Sequence, residues 1–180
     1  MKEEVIGRRY AKALIQIGKE RGTWKRIGTD LESFVTLFQS DKLLNRILCD
    51  PVHERAKRRA IVKEVAQRLS LDPLTINFLL LLVDKERIRY LPVIFNIYRR
   101  LEDGLAGRVR AKVITAGKID EDQRSSIQRM MEGRFKKQVI LEETEDPEIL
   151  GGVICKVDGM VFDGSVRTQL EILKERIRGE

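Results

Sequence analysis

The feature that most constrains this chain is a change of hydrophobic period near residue 105. Before it, apolar residues recur every third or fourth position; after it, they alternate. The first spacing lines one face of a helix and the second lines one face of a strand, so a single kind of element cannot satisfy both. The expectation is an α+β chain: an all-α bundle of about six helices over residues 1–105, and a small α/β domain with a mixed sheet and two helices over residues 106–180. Gly104 and Gly107 mark the boundary.

The six helices can be placed by their punctuation. Ile6, Tyr10, Ala13/Leu14 and Ile17 share a face of the first, which Gly22 ends, with Thr23 as cap for the next. Ile27, Leu31, Phe34/Val35 and Phe38 mark the second. A short helix over 41–48 stops at Asp50-Pro51, and a fourth runs from about His53 to Leu69. Asp72-Pro73 reads as an N-cap followed by proline at the first helical position of the fifth. Leu91, Ile94/Phe95, Tyr98, Leu101 and Leu105 define the sixth.

Beyond the boundary, Val109, Ala111 and Val113 alternate in a first strand over 108–116. Asp120 and Gln123 form a capping-box pattern opening a helix of about four turns. A second strand is expected over 138–143, and Asp146-Pro147 as a single helical turn. Gly151-Gly152 opens a third strand through Val157, with Asp158-Gly159 as a hairpin signal. A short strand, 160–162, then leads through Asp163-Gly164-Ser165 into a last helix ending near Arg178.

Composition excludes several classes. Apolar residues make up 42%, enough for packed cores, while no apolar run approaches the ~20 residues of a membrane span. Met1-Lys2-Glu3-Glu4 carries acids and runs straight into an amphipathic pattern, so no signal or transit peptide is expected. Cys49 and Cys155 are far apart and share no metal-ligand spacing, which suits a reducing compartment. The net charge of +7 lies in the first part: 21 Lys and Arg face 14 Asp and Glu over residues 1–105, against 14 and 14 over 106–180.

No catalytic set assembles. The single histidine, His53, follows a proline at a helix start and reads as a surface or capping residue. Neither cysteine lies in a motif with His or Asp. There is no phosphate-cradling glycine loop followed by Lys-Ser or Lys-Thr, and Asp120, Glu121 and Asp122 suit a helix dipole. No cofactor is called for. Nucleic acid is a poor partner, because Arg8-Arg9, Lys57-Arg58-Arg59 and Arg99-Arg100 lie on three helices interleaved with acids, with few aromatics beside them.

The fifth helix is the anomaly. Phe78 to Val83 are all apolar and cover every direction around the axis in under two turns. Either neighbours seal this helix, or one face stays open as a groove for an amphipathic helix of another protein. The first helix has a similar surplus, with Val5, Ala11 and Ile15 flanking its stripe.

The C-terminal part carries a resemblance. Asp146-Pro147, Leu150-Gly151-Gly152, Asp163-Gly164-Ser165-Val166-Arg167 and Leu170, in this order and spacing, resemble the signature of the delta subunit of bacterial F-type ATP synthase. Its mitochondrial form is called the oligomycin sensitivity-conferring protein. Arg9-Tyr10-Ala11-Lys12-Ala13-Leu14, Lys85-Glu86-Arg87-Ile88 before Leu91-Pro92 and Tyr98, and Val113-Ile114-Thr115-Ala116 extend the likeness over essentially the whole chain. The resemblance implies a non-catalytic stator subunit. Its helical domain would hold the N-terminal helix of an alpha subunit, and its C-terminal domain would meet the peripheral-stalk b subunits. The head is thereby kept from turning with the rotor during proton- or sodium-driven synthesis. It also implies a peripheral protein on the cytoplasmic face of the membrane, attached through the complex without inserting. Carried over, the partner groove falls on Tyr10, Ala13, Leu14 and Ile17 with Asn77, Phe78 and Leu81.

Overall fold

The computed structural model describes residues 2–157 and 159–177; Asp158 of the hairpin signal and the helix end expected at Arg178 lie outside the described residues. The chain divides into two compact units, Met1–Glu102 and Asp103–Glu180. Among the described residues it holds eight α-helices and one mixed four-stranded sheet, an α+β architecture.

The helices are α1 (Lys2–Glu20), α2 (Trp24–Ser40), α3 (Lys42–Cys49), α4 (Arg55–Arg68), α5 (Pro73–Asp84) and α6 (Leu91–Leu105), with a 3-10 turn over Ile88–Tyr90. The caps follow local chemistry. Asp41 accepts from the amides of Leu43 and Leu44 to start α3, and Asp72 accepts from Leu74 to start α5, with Pro73 in the first turn. Thr23 occupies the N-cap position of α2, but its hydroxyl accepts no backbone amide there. It lies buried instead, and the turn is held by the Thr23 amide donating to the Gly18 carbonyl at 2.8 Å.

One apolar core joins the helices of the first unit, with Phe34, Phe38, Leu31, Leu79, Leu82, Ile94 and Tyr98 fully enclosed. Tyr98 satisfies its phenol by donating to the Trp24 carbonyl at 2.8 Å, and burial pushes its pKa up, so it stays protonated. Buried Asp30 of α2 accepts from the Asp72 amide at 2.7 Å and the Thr75 hydroxyl at 3.1 Å, which pins the start of α5 to α2.

The end of α5 is held by charge. The Arg58 side chain, 3% exposed, donates to both carboxylate oxygens of Glu86 at 2.8 and 2.7 Å and through Nε to the His53 carbonyl at 3.1 Å. This bond holds the Glu86 carboxyl below its ordinary range. Removing the acid leaves a buried guanidinium without its hydrogen-bonded counter-charge, with only the weaker field of Asp50 remaining. Since Glu86 itself is 40% exposed, water softens that loss, and Glu86→Gln is expected to cost about 1–3 kcal/mol in denaturant titrations at neutral pH. The folded carboxyl binds its proton less tightly than the unfolded one. Its contribution is therefore complete above the ordinary glutamate range and fades as pH falls through the folded value, so the gap between wild type and Glu86→Gln is expected to close on acidification.

In the second unit β1 (Arg108–Thr115), α7 (Glu121–Phe135) and β2 (Gln138–Glu145) form a parallel pair with a helical crossover. β3 (Gly152–Val157) and β4 (Met160–Ser165) complete the sheet in the order β2-β1-β3-β4, before α8 (Val166–Ile177). Val109, Ala111 and Val113 point into a core with Ile127 and Met131 of α7, Val139, Cys155 and Val157. α7 opens with a full capping box, Asp120 with Gln123. Asp103 is almost fully buried and pairs with Arg108 and Arg110 of β1.

Two local expectations need correction. Asp146-Pro147 begins a hydrogen-bonded turn and not a helical one. The Asp146 carboxylate accepts from the Glu148 amide, and its carbonyl accepts from Ile149 at 3.1 Å, which closes the chain in four residues. The strand expected to end at Phe162 continues through Ser165, because Asp163, Gly164 and Ser165 pair with Ile154, Val153 and Gly152. Ser165 still caps α8, accepting from the Thr168 amide at 3.3 Å.

Candidate functional site

The reactive residue types are all accounted for structurally. Burial pushes both thiols up, and Cys155 is enclosed, so neither is a ready nucleophile. His53 is half-buried and contributes its backbone carbonyl to Arg58. Among the described residues no three metal-ligating side chains cluster. At two of the three basic points acids are paired in: Arg8 with Glu4, Lys57 with Glu54, Arg58 with Glu86 and Arg59 with Asp84. Chains of paired charges neutralise a phosphate track poorly. What remains is apolar surface.

On α1 the buried face is not the stripe of large residues. Gly7, Ala11, Leu14, Ile15 and Gly18 are enclosed. A Cβ on Gly7 would come within 3.0 Å of Ile97 and Val93, and one on Gly18 within 3.0 Å of Ile27 and 3.1 Å of Trp24. These two glycines let α1 lie against its neighbours on its small-residue side. Of the expected Ile6–Tyr10–Ala13/Leu14–Ile17 stripe only Leu14 joins this face, and the other four residues centre about a third of a revolution from it. Ile6 and Tyr10 are half-buried, while Ala13 and Ile17 are exposed, Ile17 at 38%. The surplus expected from Ala11 and Ile15 goes into the core, and Val5 stays outside.

α5 divides similarly. Phe78, Leu79, Leu80, Leu82 and Val83 are buried, whereas Asn77 is exposed and Leu81 is 42% exposed. Of the seven expected site residues, the structure therefore buries Leu14 and Phe78, half-buries Tyr10, and exposes Ala13, Ile17, Asn77 and Leu81. Tyr10 and Phe78 meet edge to face at 6.2 Å between centroids, so these two rings join α1 to α5. Two further side chains belong to this surface. Arg87 donates to the Tyr10 hydroxyl at 2.8 Å with its guanidinium over the ring, and half-buried Leu74 lies one turn before Phe78. Leu74 was visible as an i, i+4 partner of Phe78; nothing local connects Arg87 to a tyrosine 77 positions away.

The sequence profile described as ATP synthase delta (OSCP) subunit matches residues 6–177. The chain belongs to the ATP synthase delta (OSCP) subunit family. It is 36% identical over 178 residues to the ATP synthase subunit delta of Desulfosudis oleivorans, covering 99% of this chain and 97% of that protein. The corresponding protein of Anaeromyxobacter sp. is 38% identical over 173 residues, covering 96% and 97%. Its fold resembles a chain in the cryo-EM structure of the Toxoplasma gondii mitochondrial ATP synthase hexamer, with a TM-score of 0.77 at 22% identity over 97% of this chain and 98% of that one. A delta subunit is a non-catalytic, structural member of the ATP synthase complex, which agrees with a molecule whose distinctive surface is apolar and not reactive. No helix among the described residues is long and apolar enough to cross a membrane.

Proposed function

We propose that this delta subunit is a stator link, holding the N-terminal helix of an alpha subunit on residues 1–105 and the b subunits of the peripheral stalk on residues 106–180. It sits on the cytoplasmic face of the membrane as a peripheral protein, attached through the complex. By joining head to stalk it resists the torque that proton- or sodium-driven rotation exerts on the catalytic head. The observation that carries this reading is the exposed apolar pair Ile17 and Leu81 on two helices that the Tyr10–Phe78 contact brings together.

An amphipathic helix would set its apolar face against Ala13, Ile17 and Leu81, with the half-buried Tyr10 ring and the buried Leu14 and Phe78 as a rigid floor and Asn77 at the edge. Arg87 and the excess positive charge of this part favour acids on the partner's flank. A static link must dissociate far more slowly than the rotor turns, which calls for nanomolar affinity, about 12 kcal/mol.

Calorimetric titration of the full chain with a synthetic alpha-subunit N-terminal helix tests this. Saturable nanomolar binding at one site is expected. Binding weaker than about 10 µM, or unchanged by substitutions at Ile17 and Leu81, would overturn it.

A further inference from the structure

The sheet of the second unit has two unlike faces. Val109, Ala111 and Val113 turn one of them into the core with α7. The other carries the alternate residues, and the strand registers set Glu142, Lys112, Lys156 and Val161 side by side in one row across it. Thr144, Ile114, Ile154 and Asp163 form the next row. Lys112 and Lys156, both exposed, are direct partners of β1 and β3. Like charges directly opposite each other destabilise a sheet. The nearest acids in the ladder, Glu142 opposite Lys112 and Asp163 diagonal to Lys156, are engaged elsewhere. Glu142 accepts from Arg110 at 3.0 Å, and Asp163 accepts from the Ser165 amide and the Thr168 hydroxyl, both at 2.9 Å. Among the described residues no ion pair forms at either lysine. Beside them lie half-buried Ile114 and Ile154, and Val161 at 59% exposed.

We infer that this patch seats an acidic segment of a partner polypeptide, with carboxylates between the two ammonium groups and an apolar side chain over Ile114, Ile154 and Val161. The inference goes beyond the stator reading and does not depend on it, since charge alone defines the partner. An opposed like-charged pair breaks a local rule of sheet pairing, and such breaks are expected where function requires them. The surroundings of the pair select the occupant. A second copy of this face would set lysine on lysine. A free inorganic anion needs a concave site and gains nothing from isoleucines on an open sheet. A single-stranded nucleic acid finds no aromatic in either row on which to stack a base. An anionic membrane would meet Glu142 and Asp163 beside the lysines. A peptide can set its acids over the lysines and keep them off those two carboxylates.

The test titrates the isotope-labelled full chain with two synthetic peptides of one alternating apolar and charged pattern, the charges being Glu in one and Lys in the other. The Glu peptide is expected to bind at least about 10-fold more tightly and to shift the amide resonances of Lys112, Ile114, Ile154 and Lys156 in two-dimensional NMR. Lys112→Gln with Lys156→Gln should abolish that binding and raise the melting midpoint, because the repulsion is gone. Lys112→Arg with Lys156→Arg should retain binding. Both variants should keep their affinity for the alpha-subunit helix, which separates failure here from failure of the head contact. Equal binding of the two peptides, binding of neither, shifts confined to other residues, or a midpoint lowered by the glutamines overturns the inference. So does occupation of the same face by inorganic phosphate, single-stranded DNA, anionic vesicles or a second copy of the chain, each recognised by its loss in the glutamine variant.

Discussion

Replacing Gly152 with valine is expected to unfold β3 and β4 while the helices of the first unit keep their protection. Gly152 has a φ of 83° and pairs with Ser165 at the end of the β3–β4 ladder. A Cβ there would lie 2.4 Å from the Gly164 carbonyl oxygen and 2.9 Å from the Ser165 Cα, both backbone atoms that cannot swing aside. Forcing an L residue into this region costs about 1–2 kcal/mol, and relieving the collision about 1–3 more, with a β-branched side chain at the upper end. A loss of about 3–5 kcal/mol is a large share of the stability of so small a domain. Hydrogen exchange should show the amides of β3, β4 and the start of α8 opening first. Gly133→Ala is the contrast: that helical site has nothing within 4 Å, so alanine there should stabilise by up to about 1 kcal/mol. Undiminished protection of β3 and β4 in Gly152→Val would show that the ladder relaxes around the added carbons.

The second large effect is expected in binding. The double variant Ile17→Asp, Leu81→Asp should lower affinity for the alpha-subunit helix by at least about 100-fold, since each substitution places a carboxylate where an apolar anchor is proposed to dock. Both sites are exposed, so the melting transition should move little. Phe78→Ala serves a different purpose. Phe78 is 8% exposed within the core and supports the Tyr10 ring, so its truncation is expected to cost about 3–5 kcal/mol of folding stability and to weaken docking indirectly. Nanomolar affinity retained by the double variant would place the alpha helix on another surface.

Much of the fold was legible because it is written in local rules. Asp41, Asp72 and Asp120 sit where a carboxylate can satisfy the first amides of a helix, and all three cap one. Val109, Ala111 and Val113 alternate because a strand's faces alternate. The errors came where a local signal had two outcomes. Asp146-Pro147 suits a turn as well as a helix start, and Asp163-Gly164-Ser165 reads as a turn until Gly152 offers it a strand to pair with. Thr23 has the right side chain for a cap, but its backbone, at φ −106° and ψ 6°, lies outside the extended geometry a capping residue takes, and its hydroxyl is buried without a partner.

The candidate surface was legible in its residues and not in its orientation. Periodicity alone determined that α1 and α5 carry more apolar surface than one core face requires, and that the chain changes from helices to a sheet near residue 105. Which side of each helix faces inward was a tertiary decision. The three-and-four spacing points α1 inward through Ile6, Tyr10, Ala13/Leu14 and Ile17, and of these only Leu14 joins the buried face. Packing chose Gly7, Ala11, Leu14, Ile15 and Gly18, because a helix buries more contact where its own small residues let neighbours approach. Close packing depends on the shape of both surfaces at once, and a single helix's sequence holds only one of them.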